Sequence, residues 1–96
     1  MPTFEWDPAK ARSNYRKHGI GFEAAKEIFD DPLALEFIDE ASHELGEERI
    51  LIIGRASSLQ VLTVVYTERG ENIRIISARK AIKAEHDDYY RQSTED

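Results

Sequence analysis

Between residues 33 and 79 the apolar residues fall into four strand-sized runs, "LALEFID", "ERILIIGR", "LQVLTVVYT" and "NIRIISAR". The last three are joined by "ASS" and "ERGE", links far too short for a helical crossover. Four strands in succession with short links predict an antiparallel sheet. In the third run Leu62, Val64 and Tyr66 alternate with Val61, Thr63 and Val65, placing the two sets on opposite faces. "ILII" is apolar at odd and even positions alike, so that strand is expected to be buried on both sides.

Helices flank this block. "TFEW" reads as a short first strand, and "DP" then opens a helix with Asp7 as N-cap and Pro8 in its first turn; Gly19 closes it. The spacing of Ala11, Tyr15 and His18 suggests the face that turns inward, and Lys10, Asn14 and Lys17 share a neighbouring face. A second helix in "GFEAAKEIFDDP" carries an apolar stripe of Phe22, Ala25, Ile28 and Phe29 and stops at Asp31-Pro32. A last helix in "KAIKAEHDDYYRQ" aligns Ile82, Glu85 and Tyr89, and "STED" is expected to fray. The order β-α-α-β-β-β-β-α predicts an α+β fold. It has a compact antiparallel sheet, two N-terminal helices packed on it and a C-terminal helix, with the helices covering one face. The 96 residues form a single domain in this reading, 1–96, able to bury about 60–70% of the surface of the unfolded chain.

Composition excludes several classes. With no cysteine there is neither a disulfide nor a thiolate zinc site. No apolar run approaches a membrane span, and "MPTFEWDP" lacks the basic and apolar regions of a secretory signal, so a cytoplasmic protein is expected. The formal charge of −6 is unevenly distributed. Residues 8–18 carry +4 and residues 49–83 carry +5, whereas 19–48 hold −9, 84–96 hold −4 and 1–7 hold −2. Screening over roughly 8–10 Å lets a local basic surface operate on an acidic protein. Broad non-specific nucleic-acid binding is disfavoured; a focused phosphate site is not.

The basic charge of 49–79 is all arginine: Arg49, Arg55, Arg69, Arg74 and Arg79. Guanidinium forks suit phosphate oxygens, and ordinary pairing with the many acids is the plain alternative. His18 ends the basic helix beside Lys17, as a general acid or base, a phosphate contact or simply a helix-end residue. His43 lies in an acidic loop, and His86 has Glu85 and Asp87 beside it, but no spacing supports a metal site. Glu48 is a possible base or a solvated strand-edge carboxylate. No nucleophile motif or phosphate-binding glycine loop appears. Arg, Lys, His and Tyr on a sheet suit metal-free RNA cleavage, in which the substrate's 2′-OH attacks phosphorus and the protein supplies cationic donors and proton carriers. Tyr66 could stack on a base or belong to the core.

"FEWDPAKARSNYRKHGIGFEAAKEIFDDP", followed by "ERILIIGR", "VLTVVYTERG" and "RIISARKA", resembles the BrnT family of toxins from bacterial type II toxin–antitoxin systems, from Phe4 to Tyr89. The resemblance implies a RelE-like ribonuclease fold, mRNA cleavage that arrests translation, and no cofactor. It further implies neutralisation by a small BrnA-type antitoxin in a 2:2 complex whose antitoxin dimer reaches operator DNA. Within the matching blocks the catalytic candidates are His18, Arg49 and Arg79; the RNA-contact candidates are Lys10, Lys17, Arg69, Arg74 and Tyr66. A non-catalytic antitoxin-binding or co-repressor module is the alternative reading. Two departures stand out: Gly21 occupies an N-cap position where a polar residue is usual, and the last helix reads "EHDDYY" where relatives are more basic.

Overall fold

A computed structural model describes residues 2–40 and 46–93. His43 and the 94–96 end, for which exposure and fraying are expected, lie outside the described residues. Strand β1 (Thr3–Glu5) leads into helix α1 (Pro8–His18). The Asp7 carboxylate accepts from Ala9 N–H at 2.9 Å, and Gly19, at φ +71°, donates its N–H to the Tyr15 carbonyl at 2.8 Å. Both ends therefore form as the Asp-Pro and Gly punctuation dictates.

Helix α2 (Phe22–Lys26) is only five residues long and tightens into a 3-10 turn over Glu27–Asp30. Ile28 in that turn is fully buried, directly over Gly54. A Cβ at Gly54 would lie 3.0 Å from Ile28 Cβ and 3.2 Å from the Ile28 carbonyl oxygen, so any side chain there would press the turn away from the sheet. Asp31 stops the turn and ties three elements together. Its carboxylate accepts from Leu33 N–H at 2.9 Å, Arg55 N–H at 2.8 Å and the Tyr89 hydroxyl at 2.5 Å. Burial pushes the Asp31 carboxyl up, but those three donors outweigh it and leave its pKa lowered.

Strands β2 (Leu35–Asp39), β3 (Arg49–Arg55), β4 (Val61–Arg69) and β5 (Asn72–Lys80) form the antiparallel meander that the sequence predicts. The sheet is mixed rather than wholly antiparallel, because β1 joins β5 in parallel and gives the order β1-β5-β4-β3-β2. No hairpin sets the direction of β1; it is fixed by the path the chain takes into α1, which alternation alone does not reveal.

The expectation that the helices share one face is also corrected. Helices α1 and α2 lie over a helical face, where Phe22, Ala25 and Ile28 meet Ile52, Leu62 and Val64. Helix α3 (Lys83–Ser93) lies on the other, where Tyr89, 1% exposed, packs on Ile53 and Val61. The two-sided burial of β3 is the physical reason: Ile52 serves one core and Ile53 the other. Each fully buried aliphatic side chain of this kind is worth about 1.5–3 kcal/mol. Beyond α3, the second face stays open around Leu51, Val65 and Ser77, which are half-buried.

The inward residue of α1 is Asn14, not Tyr15 or His18; Tyr15 is 60% exposed and His18 is exposed. Beyond Arg74 the edge of β5 has no neighbouring strand, and the Asn14 amide takes its place there. It accepts from Ala78 N–H at 3.1 Å and donates to the carbonyls of Ala78 at 2.8 Å and Ile20 at 3.1 Å. A helix resting on a strand edge needs a polar side chain at its contact, because buried backbone groups must be paired.

Candidate functional site

Helix α1 forms a cationic ridge along the edge of β5. Lys10, Arg12, Arg16, Lys17 and His18 are all exposed, and among the described residues none of the five forms an ion pair. Lys10, Ser13, Asn14, Lys17 and His18 line a shallow cleft of about 210 Å³ whose far wall is Ile76 and Ser77 of β5. The register explains that wall. Val65 pairs with Ser77 and Tyr66 with Ile75, so Ile76 is an extra residue, a bulge that turns this stretch of strand toward α1.

The pairing also fixes where the strand arginines point. Arg74, Ser77 and Arg79 lie opposite Thr67, Val65 and Thr63, on the open face. Arg69 follows Thr67 by two on that same face, and Arg49, opposite Asp39, reaches it from β3. Ser77 thus connects the cleft at Lys10, Lys17 and His18 to a face flanked by Arg74 and Arg79. Arg49 stands two strands further, roughly 10 Å away at the usual strand spacing.

Three of these arginines already hold carboxylates. Arg74 binds Glu5 at 2.9 Å, and Arg69 meets Glu47 at 3.4 Å in an exposed pair. Arg79 makes a two-point contact with Glu85, Nη1–Oε1 2.7 Å and Nη2–Oε2 3.0 Å. Glu85 also accepts from the Thr63 hydroxyl at 2.9 Å and from Ile82 N–H at 2.9 Å, the latter a capping contact at the start of α3. The Arg79 fork lowers the Glu85 pKa to about 2, against the opposing effect of burial. Sequence reasoning missed Glu85 as a partner, although its position three residues after Ile82 is the spacing of a capping box.

Tyr66 does not belong to this surface. It is 4% exposed on the helical face, with its ring edge-on to Phe29 at 5.0 Å, so no base can stack on it. Burial first, and then Glu36 and Glu68, raise its pKa far above that of a free phenol. Of the two readings of Tyr66, the core one holds. The His86 ring meets Tyr90 at a tilt, with centroids 4.7 Å apart, on α3 and away from the cleft, with Asp87 4.0 Å from its Nδ1. Among the described residues no group of three or more His, Asp or Glu gathers as a metal site, and no helix is long and apolar enough to cross a membrane.

Fold and site together define a small α+β protein that carries a cationic ridge ending in a histidine beside an arginine-flanked sheet face. A family model described as "Ribonuclease toxin, BrnT, of type II toxin-antitoxin system" matches residues 6–85, so the chain belongs to the BrnT family of ribonuclease toxins. An antitoxin partner follows from that membership. Among solved structures the chain is similar to the ribonuclease toxin BrnT of Brucella abortus, solved at 1.1 Å. The TM-score is 0.67 and the identity 24%, over 86% of this chain and 100% of that one. At that identity the likeness establishes the fold. A comparison with curated protein sequences finds no match.

Proposed function

We propose that the chain is a metal-independent endoribonuclease that cuts mRNA at the junction of α1 and β5 and so arrests translation. The observation that carries this reading is the unpaired charge of Lys10 and Lys17 around the cleft they share with His18 and Ser77. A backbone phosphate in that cleft receives hydrogen bonds from the two ammonium groups on its non-bridging oxygens. His18 carries the proton released as the 2′-oxygen bonds to phosphorus. The P–O5′ bond breaks as a proton reaches the departing oxygen, leaving a 2′,3′-cyclic phosphate and a 5′-hydroxyl. Arg79 and Arg74, as the bound phosphate displaces Glu85 and Glu5, and Arg49 on the same face steady the developing negative charge. Arg69 contacts the substrate strand further out.

The proposal extends to the partner. A BrnA-type antitoxin neutralises the protein in the cytoplasm, in a 2:2 complex that reaches operator DNA through the antitoxin. In the second reading the chain is a non-catalytic antitoxin-binding or co-repressor subunit, and the carboxylates already on Arg69, Arg74 and Arg79 favour it. The deciding experiment incubates the purified protein with single-stranded RNA in excess chelator. We expect cleavage with cyclic-phosphate ends, falling on the order of 10²-fold in His18→Ala and in Lys10→Ala/Lys17→Ala, both of which keep the wild-type circular dichroism. Intact RNA in the presence of folded wild-type protein removes the ribonuclease reading. Unchanged rates in both variants remove this site.

A further inference from the structure

The other flank of α1 holds a larger groove, about 470 Å³, between that helix and the start of α2. Its walls are Trp6, Ala11, Tyr15 and Phe22, and Arg12 and Arg16 stand on its rim. From its site, and resting on the ribonuclease reading above, we infer that this groove is a base-binding subsite. It takes a nucleobase of single-stranded RNA whose phosphate backbone crosses α1.

Three observations converge on that occupant. Tyr15 is 60% exposed and makes no ring contact among the described residues, and Trp6 leans edge-on against Phe22 at 5.8 Å with an interplanar angle of 82°. An open slot between aromatic side chains accepts any flat π-system, which is how single-stranded bases are held without sequence readout. Arg12 and Arg16, one helical turn apart, repel each other, and no carboxylate among the described residues offsets them. The acid at the groove, Glu23, is held by Lys26 at 3.1 Å. An apolar slot under two free guanidinium groups matches a base attached to its phosphate better than it matches an apolar peptide. Finally, α1 is a ridge about 10 Å across with the phosphate cleft on its opposite flank, so one short strand can occupy both sites.

The test uses Trp6, the single tryptophan of the chain, as the reporter. The protein is titrated with a 2′-O-methyl oligoribonucleotide, which binds without being cut, with an abasic oligonucleotide of the same length, and with polyphosphate. The base-bearing strand is expected to quench Trp6; the abasic strand and polyphosphate bind without quenching. Tyr15→Ala, a change at an exposed position, weakens the base-bearing strand roughly tenfold or more and leaves polyphosphate affinity unchanged, and Tyr15→Phe restores it. Equal quenching by polyphosphate overturns the inference. So does a Tyr15→Ala variant that binds RNA normally but loses affinity for the co-expressed antitoxin, since the groove would then dock protein. Quenching by a base-bearing strand with no cleavage of natural RNA supports the subsite while removing the ribonuclease reading. Cleavage without such quenching does the reverse.

Discussion

Glu85→Gln is the substitution whose effect can be worked out most fully. The change keeps the shape of the side chain and an oxygen for Thr63 and Ile82, and removes the charge that faces Arg79. Glu85 is 15% exposed as a side chain and Arg79 36%, so solvent screens part of the attraction between them. Its pKa falls from 4.5 to about 2 on folding, which sets an upper bound of about 3 kcal/mol on the stability contributed by the ionised form, less what solvent at Arg79 screens. Because the folded value lies below the unfolded one, the unfolded chain binds more protons between them. The contribution is therefore complete above about pH 5 and drains away as the pH falls through 4.5 toward 2. Urea denaturation of both proteins from pH 7 to pH 2 isolates it, since every other carboxylate is common to the two. The wild type should lead by up to about 3 kcal/mol at pH 7, or at most roughly 10–20 °C in melting temperature for a domain of this size, and the curves should converge near pH 2. A gap that stays constant across that range would show that ionisation of Glu85 is not its source, and no gap at pH 7 would refute the geometry itself.

Asn14→Ala should cost about 2–4 kcal/mol, because it strands the N–H and carbonyl of Ala78 at the edge of β5 and the carbonyl of Ile20; equilibrium denaturation measures it, and a loss below 1 kcal/mol would mean another group takes its place. Gly54→Val forces a branched side chain against Ile28 and should lower stability by roughly 1–3 kcal/mol, read as a drop in melting temperature. Tyr89→Phe removes the hydroxyl that bridges α3 to Asp31 and should cost about 1–3 kcal/mol, with the helical content of the protein otherwise unchanged by circular dichroism.

The elements most legible in the sequence were those announced by local chemistry. Asp7-Pro8 and Gly19 bracket α1 because cap geometry depends on the residues at the ends and nothing else. The alternation of β4 gave Val64 to one core and Thr63 to the other face, because a pleat has period two. What escaped depended on distant partners. Lys10, Asn14 and Lys17 do line one cleft, as their spacing predicts, but the group that Asn14 binds, Ala78, lies 64 residues away. Apolar periodicity could not show a helix docking through an amide. The parallel seat of β1 and the position of α3 on the opposite face escaped for the same reason: neither is set by a turn. The helix side of the cleft was legible in Lys10, Lys17 and His18, which line it together. Its second wall was not, since it depends on a bulge at Ile76 visible only in the pairing with β4.

The charge pattern is where local and tertiary information combine. Taken along the chain, residues 49–83 hold more positive charge than residues 8–18, and the strands look like the stronger anion site. Folding reverses that order. The acidic segments return to the strand arginines, Glu5 from the N-terminus to Arg74, Glu47 from the acidic middle to Arg69, and Glu85 from the last helix to Arg79. The four cations of α1 receive no such partner among the described residues. Two kinds of positive charge result. On the strands a phosphate must compete with a carboxylate already in place, whereas on α1 it meets only water and counter-ions. In the proposed function the initial capture of an anionic chain therefore falls to α1, with a steep dependence on salt expected, because each phosphate bound there releases counter-ions. The strand arginines can act only on a substrate already held close enough to displace their carboxylates, and Arg79, with two contacts to Glu85, is the hardest of the three to free.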